Sequence, residues 1–142
     1  MVVHAFVTSK LDYCNSLLYG LPKFLIATLQ SVQNSAARLV CMTRKFDHIT
    51  PTLIDLRWLP IRHRIFFKIL LLVYKSLNAK TPSYLSDLST YRRSSYSLRS
   101  VSNSDLVEPS SKMRIYGDRS FAVCVPRLWN SLPLSIRFSQ NL

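Results

Sequence analysis

A chain of 142 residues suits one domain, and a fold of this size buries roughly 70% of the surface its unfolded chain exposes. An apolar share of 48% supports a core and argues against a disordered or low-complexity chain. Nineteen Lys and Arg against seven Asp and Glu give a net charge of +12, which disfavours a carboxylate-rich two-metal centre and favours a polyanionic partner, because neutralised phosphates release condensed counterions.

The pattern predicts a mainly α protein with three segments. These are a small helical bundle over residues 1–88, a basic Ser/Arg-rich loop over 89–114, and a C-terminal docking segment over 115–142. A first helix is expected over 2–19, ending at Gly20, and a second over 22–43, opening on Pro22. In the second, Leu25, Leu29, Val32, Ala36 and Leu39 step by four, three, four and three, so they share one face, while Lys23, Gln30, Asn34 and Arg38 fall on the other. That apolar face docks on the chain's own core or on a partner, and if left uncovered it invites self-association. Thr50-Pro51 and Thr81-Pro82 each read as an N-cap hydroxyl followed by proline at the first helical position, giving helices over 51–56 and 82–88.

Trp58-Leu59-Pro60 opens a long helix over 60–77, whose apolar residues wrap most of the circumference as in the middle of a bundle. On that helix Arg64, Lys68 and Lys75 align within a stripe about 40° wide. The stripe is either a narrow solvent-facing edge or a phosphate-facing ridge. After Leu88 the chain becomes Ser-rich with interspersed arginines, a loop that would order on binding. Tyr116-Gly117-Asp118 reads as a turn, residues 115–125 as a short strand or hairpin, and 126–131 as a turn of helix. Trp58, Trp129, Phe66, Phe67 and Leu132 are the expected core anchors.

The longest strictly apolar run, Ile69–Tyr74, is far short of the roughly 20 residues a membrane helix needs, so no membrane is implied. Cys14, Cys41 and Cys124 are odd in number and far apart, as suits free thiols in a reducing, intracellular setting in the cytoplasm or nucleus. They do not combine with His4, His48 and His63 at ligand spacings, so no metal site is expected. With two glycines there is no phosphate-cradling loop, and no nucleophile-elbow motif surrounds any serine. Neither a catalytic residue nor a cofactor is implied.

Basic groups interleaved with aromatics remain. Residues 57–142 hold fourteen bases and four acids, against five and three in residues 1–56. Tyr91, Arg92, Arg93, Tyr96, Arg99, Arg114, Tyr116 and Arg119 offer phosphate contacts beside rings that can stack on unpaired bases. Such tyrosines serve equally as half-buried packing residues. With Arg64, Lys68 and Lys75, these arginines form the candidate nucleic-acid-binding set.

Several runs together carry a resemblance. They are LDYCNSLLYGLP (11–22), LQSVQNSAARLV (29–40), HITP (48–51), LRWLPIRHRIFFKILLLVYKSLN (56–78), TPSYLSDL (81–88), LRS (98–100) and YGDRSFAVCVPRLWNSLP (116–133). As a set they resemble the region downstream of the catalytic core in reverse transcriptases of non-LTR (LINE-type) retrotransposons, of the jockey-like and chicken-repeat-like kind. The resemblance covers nearly the whole chain. It implies a segment that helps hold template RNA or primer beside an upstream polymerase core, with RNA or DNA as partner. The paired aspartates of that family's catalytic hairpin lie upstream of this region, and no Asp-Asp pair occurs here, so no catalytic residue carries over. Arg57 stands where histidine is common, and Ala79 where glycine is. Met1 and Leu142 fall where relatives run on, so a piece truncated at both ends is expected. The alternative is a helical protein-interaction module, or a non-functional mobile-element relic with no specific partner.

Overall fold

In the computed structural model, which describes residues 2–92, 104–113 and 116–138, the elements are helical. They run α1 (Val2–Asp12), a 3-10 turn (Asn15–Leu18), α2 (Lys23–Cys41), α3 (Ile49–Asp55), α4 (Ile61–Leu77), α5 (Ser83–Ser86), α6 (Phe121–Asn130) and α7 (Leu134–Arg137). The first expected helix is cut short because Cys14 adopts a left-handed backbone, with φ of 50°.

Proline decides where four helices begin. Pro22, Pro60, Pro82 and Pro133 each stand one residue before a helix, outside it rather than at its first position. Where an N-cap residue is extended, its carbonyl turns to open the helical ladder. Accordingly Leu25 and Ile26 donate to Pro22 O, Arg64 to Pro60 O, Leu85 to Pro82 O, and Ile136 and Arg137 to Pro133 O. Pro51 differs: α3 starts at Ile49 with His48 as N-cap, so Thr50 and Pro51 lie inside the first turn, where a missing N–H costs little.

Three helices end on left-handed residues that are not glycine: Met42 after α2, Arg57 after α3 and Ala79 after α4, with φ of 52°, 55° and 55°. Wide backbone bonds close all three ends: Thr43 N–H to Arg38 O at 3.1 Å, Trp58 N–H to Leu53 O at 2.8 Å and Lys80 N–H to Lys75 O at 2.8 Å. A Cβ in this conformation costs about 1–2 kcal/mol. Ala79→Gly is therefore expected to stabilise the protein by about 1 kcal/mol, after the greater unfolded-state freedom of glycine is allowed for. Urea unfolding checks it: the midpoint should rise with an unchanged slope, and a fall contradicts the assignment.

The chain divides into two compact units, Met1–Lys68 and Ile69–Leu142. The division falls within α4 rather than at residue 88, where the composition changes.

In the first unit α2 packs against α1 and α3. Ala36, Ala37, Leu53 and Trp58 form the core, with Val3, Val7, Ile49 and Leu56 against it. The inward face of α2 is turned from the expected one, keeping Ala36 in the core and Leu29 half-buried. Leu25, Val32 and Leu39 are 40%, 49% and 59% exposed, whereas Gln33 is 1% exposed. Two amides explain the rotation. Gln33 Nε2 donates to Leu59 O at 2.9 Å, Gln30 Nε2 donates to Gln33 Oε1 at 2.9 Å, and Gln30 Oε1 accepts the Ile61 N–H at 2.9 Å. They satisfy the backbone where the Trp58-Leu59-Pro60 segment turns into α4, and an orphan N–H at a helix start is among the groups most in need of a partner.

The expected wrap of apolar residues around α4 is also corrected. Its buried residues are Ile61, Ile65, Ile69, Val73 and Ser76, a one-sided set, and Phe67 is 51% exposed. Phe66 is half-buried, its ring 6.0 Å from that of Tyr19. Trp58 is a core residue as expected.

In the second unit residues 121–130 form helix α6, not a strand or hairpin, and Pro126 lies inside it. Val123, Cys124, Val125, Pro126 and Trp129 are all buried, so neither a period of two nor of 3.6 shows in the sequence. The turn around Tyr116–Ser120 precedes it. There a Cβ on Gly117 would run into Ser111 Oγ and lie 2.7 Å from Met113 O.

The Trp129–Pro133 run docks on the segment around Leu106 (1% exposed). Trp129 Nε1 donates to Ser104 O at 3.2 Å. Asn130 imitates a neighbouring strand: its Oδ1 accepts the Leu106 N–H at 2.9 Å and its Nδ2 donates to Leu106 O at 3.1 Å. On the other side, Arg92 N–H donates to Asp105 O and Val107 N–H to Thr90 O, an isolated antiparallel bridge pairing Tyr91 with Leu106. Arg137 secures the same corner through Nε to Leu132 O at 2.9 Å, Nη2 to Asn130 O at 3.1 Å, and Nη1 to Asp105 Oδ1. Leu132, an expected anchor, is half-buried.

Candidate nucleic-acid interface

Excess positive charge is the main chemical asset of this surface, and each unit holds a share of it. Among the described residues three carboxylates engage bases: Asp12 with Arg64 at 2.8 Å, Asp118 with Arg127 at 3.3 Å, and Asp105 with Arg137.

The expected basic stripe on α4 is therefore not uniform. Arg64 is drawn inward: Nη1 meets Asp12 Oδ1 at 2.8 Å, Nε donates to Leu59 O at 3.2 Å, and only 14% of its side chain is exposed. A guanidinium held this way steadies the first unit and presents little charge to a ligand. Lys68 and Lys75 are exposed on the same helix.

Arg92 is exposed and lines a shallow groove of about 440 Å³ with Leu106, Val107, Glu108 and Asn130. Glu108 Oε1 accepts from Asn130 Nδ2 at 3.1 Å, which leaves the groove with one cation and one anion. Tyr91 beside it is 48% exposed, and partial burial raises its phenol above the ordinary value. Arg119 is half-buried in the turn before α6, whereas Tyr116 is 72% exposed. Arg93, Tyr96, Arg99 and Arg114 lie outside the described residues.

No helix among the described residues is long and apolar enough to cross a membrane. No group of three His, Cys, Asp or Glu side chains among them could hold a metal ion. Cys14 and Cys41 are exposed free thiols. Cys124 is buried, and burial pushes its thiol up to about 11 against a backbone hydrogen bond and the Arg127 charge that act to lower it. It is protonated at neutral pH, a poor nucleophile and metal ligand.

The chain matches no family model, no curated protein and no solved structure.

The sequence reading passed over the segment between α2 and α3. Met42 is 84% and Phe46 93% exposed there, beside Arg44 and Lys45. Residues 44–47, Arg-Lys-Phe-Asp, carry none of the proline, glycine or asparagine that marks a tight turn in a sequence.

Proposed function

We propose that the chain is a non-catalytic nucleic-acid-holding segment, of the kind that follows the catalytic core in non-LTR retrotransposon reverse transcriptases, acting inside the cell on template RNA or primer. One observation carries it: against a net charge of +12, exposed bases such as Lys68, Lys75 and Arg92 remain on the surface without an acidic partner among the described residues. The resemblance of the ordered sequence runs quoted above supports the choice of family. Contacts to phosphate give affinity that falls with salt, and tyrosines beside arginines add stacking on unpaired bases.

A salt series of binding to single-stranded RNA tests this. Replacing Arg92, Arg93 and Arg99 together by alanine is expected to flatten the log–log slope by about 2 units, at roughly 0.7 per phosphate contact on a single strand. An unchanged slope moves the contact elsewhere, with Lys68 and Lys75 as the next positions to replace.

A second reading, a helical protein-interaction module, is favoured by the exposed face of Leu25, Val32 and Leu39 on α2. It requires no salt-dependent affinity for nucleic acid, so the same titration separates the two.

A further inference from the structure

The turn between α2 and α3 is tied down at its base and bare at its tip. Asp47 N–H donates to Arg44 O at 3.3 Å, which closes a turn with Lys45 and Phe46 at its corners. Arg44 N–H in return donates to Asp47 Oδ2 at 3.0 Å. From the last turn of α2, Arg38 grips both ends of the turn, Nε to Arg44 O at 3.3 Å and Nη2 to Asp47 O at 2.9 Å. Arg44 O and one oxygen of the Asp47 carboxylate are thus taken up within the turn. The side chains of Arg44 and Lys45 have no acidic partner among the described residues, and both residues are exposed.

Phe46 is the most exposed large apolar side chain described, at 93%. Lys45 Nζ lies 5.8 Å from its ring centroid, so the ring is flanked by a cation. A bare aromatic with two cations in the preceding positions, on a turn fixed by four hydrogen bonds, is suited to a ligand that has both a flat π-face and phosphate charge. An unpaired nucleotide has both. A lipid surface would need a broader apolar face to insert than this one ring.

We propose that the Arg44–Asp47 turn is a single-strand contact point: Phe46 stacks on one unpaired base, while Arg44 and Lys45 meet the flanking phosphates. This rests on the nucleic-acid reading above and adds to it a contact in the first unit, outside the residues already considered. Holding the ring on a fixed turn lowers the entropy lost on binding.

The test uses the full chain and a fluorescein-labelled 12-nucleotide oligouridylate, read by anisotropy across a salt series. Phe46→Ala is expected to weaken binding roughly 5- to 150-fold, the range for one lost stacked base, with an unchanged salt slope. Phe46→Trp should restore it. Arg44→Gln with Lys45→Gln should instead reduce the slope by about 1.4 units. Because the ring is exposed, the thermal midpoints of these variants should match that of the parent. As a check that needs no substitution, the parent chain crosslinked to a 4-thiouridine oligonucleotide should carry the adduct on the peptide containing Phe46.

If the parent binds and Phe46→Ala binds equally well, or the adduct maps elsewhere, the turn is not the contact and the broader reading stands. If the parent fails to bind single strands at any salt, both fall. Phe46-dependent binding to phosphatidylserine vesicles, with no Phe46 effect on the oligonucleotide, would make the tip a membrane contact and overturn the proposal.

Discussion

Trp129→Ala is expected to lower the free energy of unfolding by about 3–5 kcal/mol, the usual range for truncating a buried tryptophan. The indole is 4% exposed, so its removal leaves a cavity under α6. It also removes the donor to Ser104 O, and Ser104 holds a left-handed backbone, with φ of 52°. Such a backbone needs support from its surroundings. Trp129→Phe separates the two contributions, because it fills most of the volume and lacks the N–H. It should recover more than half of the loss. Urea unfolding read by far-ultraviolet circular dichroism checks this, and an unchanged midpoint for Trp129→Ala would remove the residue from the core.

Arg137→Ala should cost a similar amount, about 3 kcal/mol, at the low end of the range for breaking a buried pair. The guanidinium side chain is 8% exposed and serves Asp105, Leu132 O and Asn130 O at once. Its loss strands two carbonyls and a carboxylate. The low end applies because Asp105 is 28% exposed, so water can reach the abandoned charge. Arg137→Lys keeps the charge and cannot reproduce the fork, so it should fall between parent and alanine. Asp105 and Asn130 connect this site to the Leu106 segment that Trp129 also braces, so the double variant should lose less than the sum of the singles. Strict additivity would show that the two side chains hold separate structures.

These two residues show how unevenly the fold could be read in the sequence. Helix α2 was legible from its periodicity and α4 from its apolar length after Pro60, and Pro22, Pro60 and Pro82 marked helix starts to within a residue. The orientation of α2 was not. Hydropathy turns amides outward, yet Gln33 is buried because Leu59 O, 26 positions away, accepts its Nε2. Nothing local announces a partner at that separation. In α6, Pro126 reads as a helix start, whereas four consecutive buried residues, Val123 to Pro126, remove the periodicity that would have revealed the helix. Arg137 was passed over for the same reason as Gln33: its importance lies in partners that the fold brings together.

The candidate site divides along the same line. Lys68, Lys75 and Arg92 are exposed. Arg64 sits on the same stripe, but its guanidinium is bonded to Asp12, 52 positions away. A wheel places a charge on a face; it does not say which carboxylate another helix will bring to it. The Arg44–Asp47 turn lies in the less basic half of the chain and contains no proline or glycine, so neither charge density nor turn chemistry points to it.

The most direct measurement is fluorescence anisotropy of the purified chain with a structured RNA, single-stranded DNA and duplex DNA across a salt series. The account predicts micromolar or tighter binding to RNA that falls steeply with salt and is clearly stronger than binding to duplex DNA. Equal, weak binding to every polyanion, or none at physiological salt, would contradict it and leave the net charge of +12 without a specific partner.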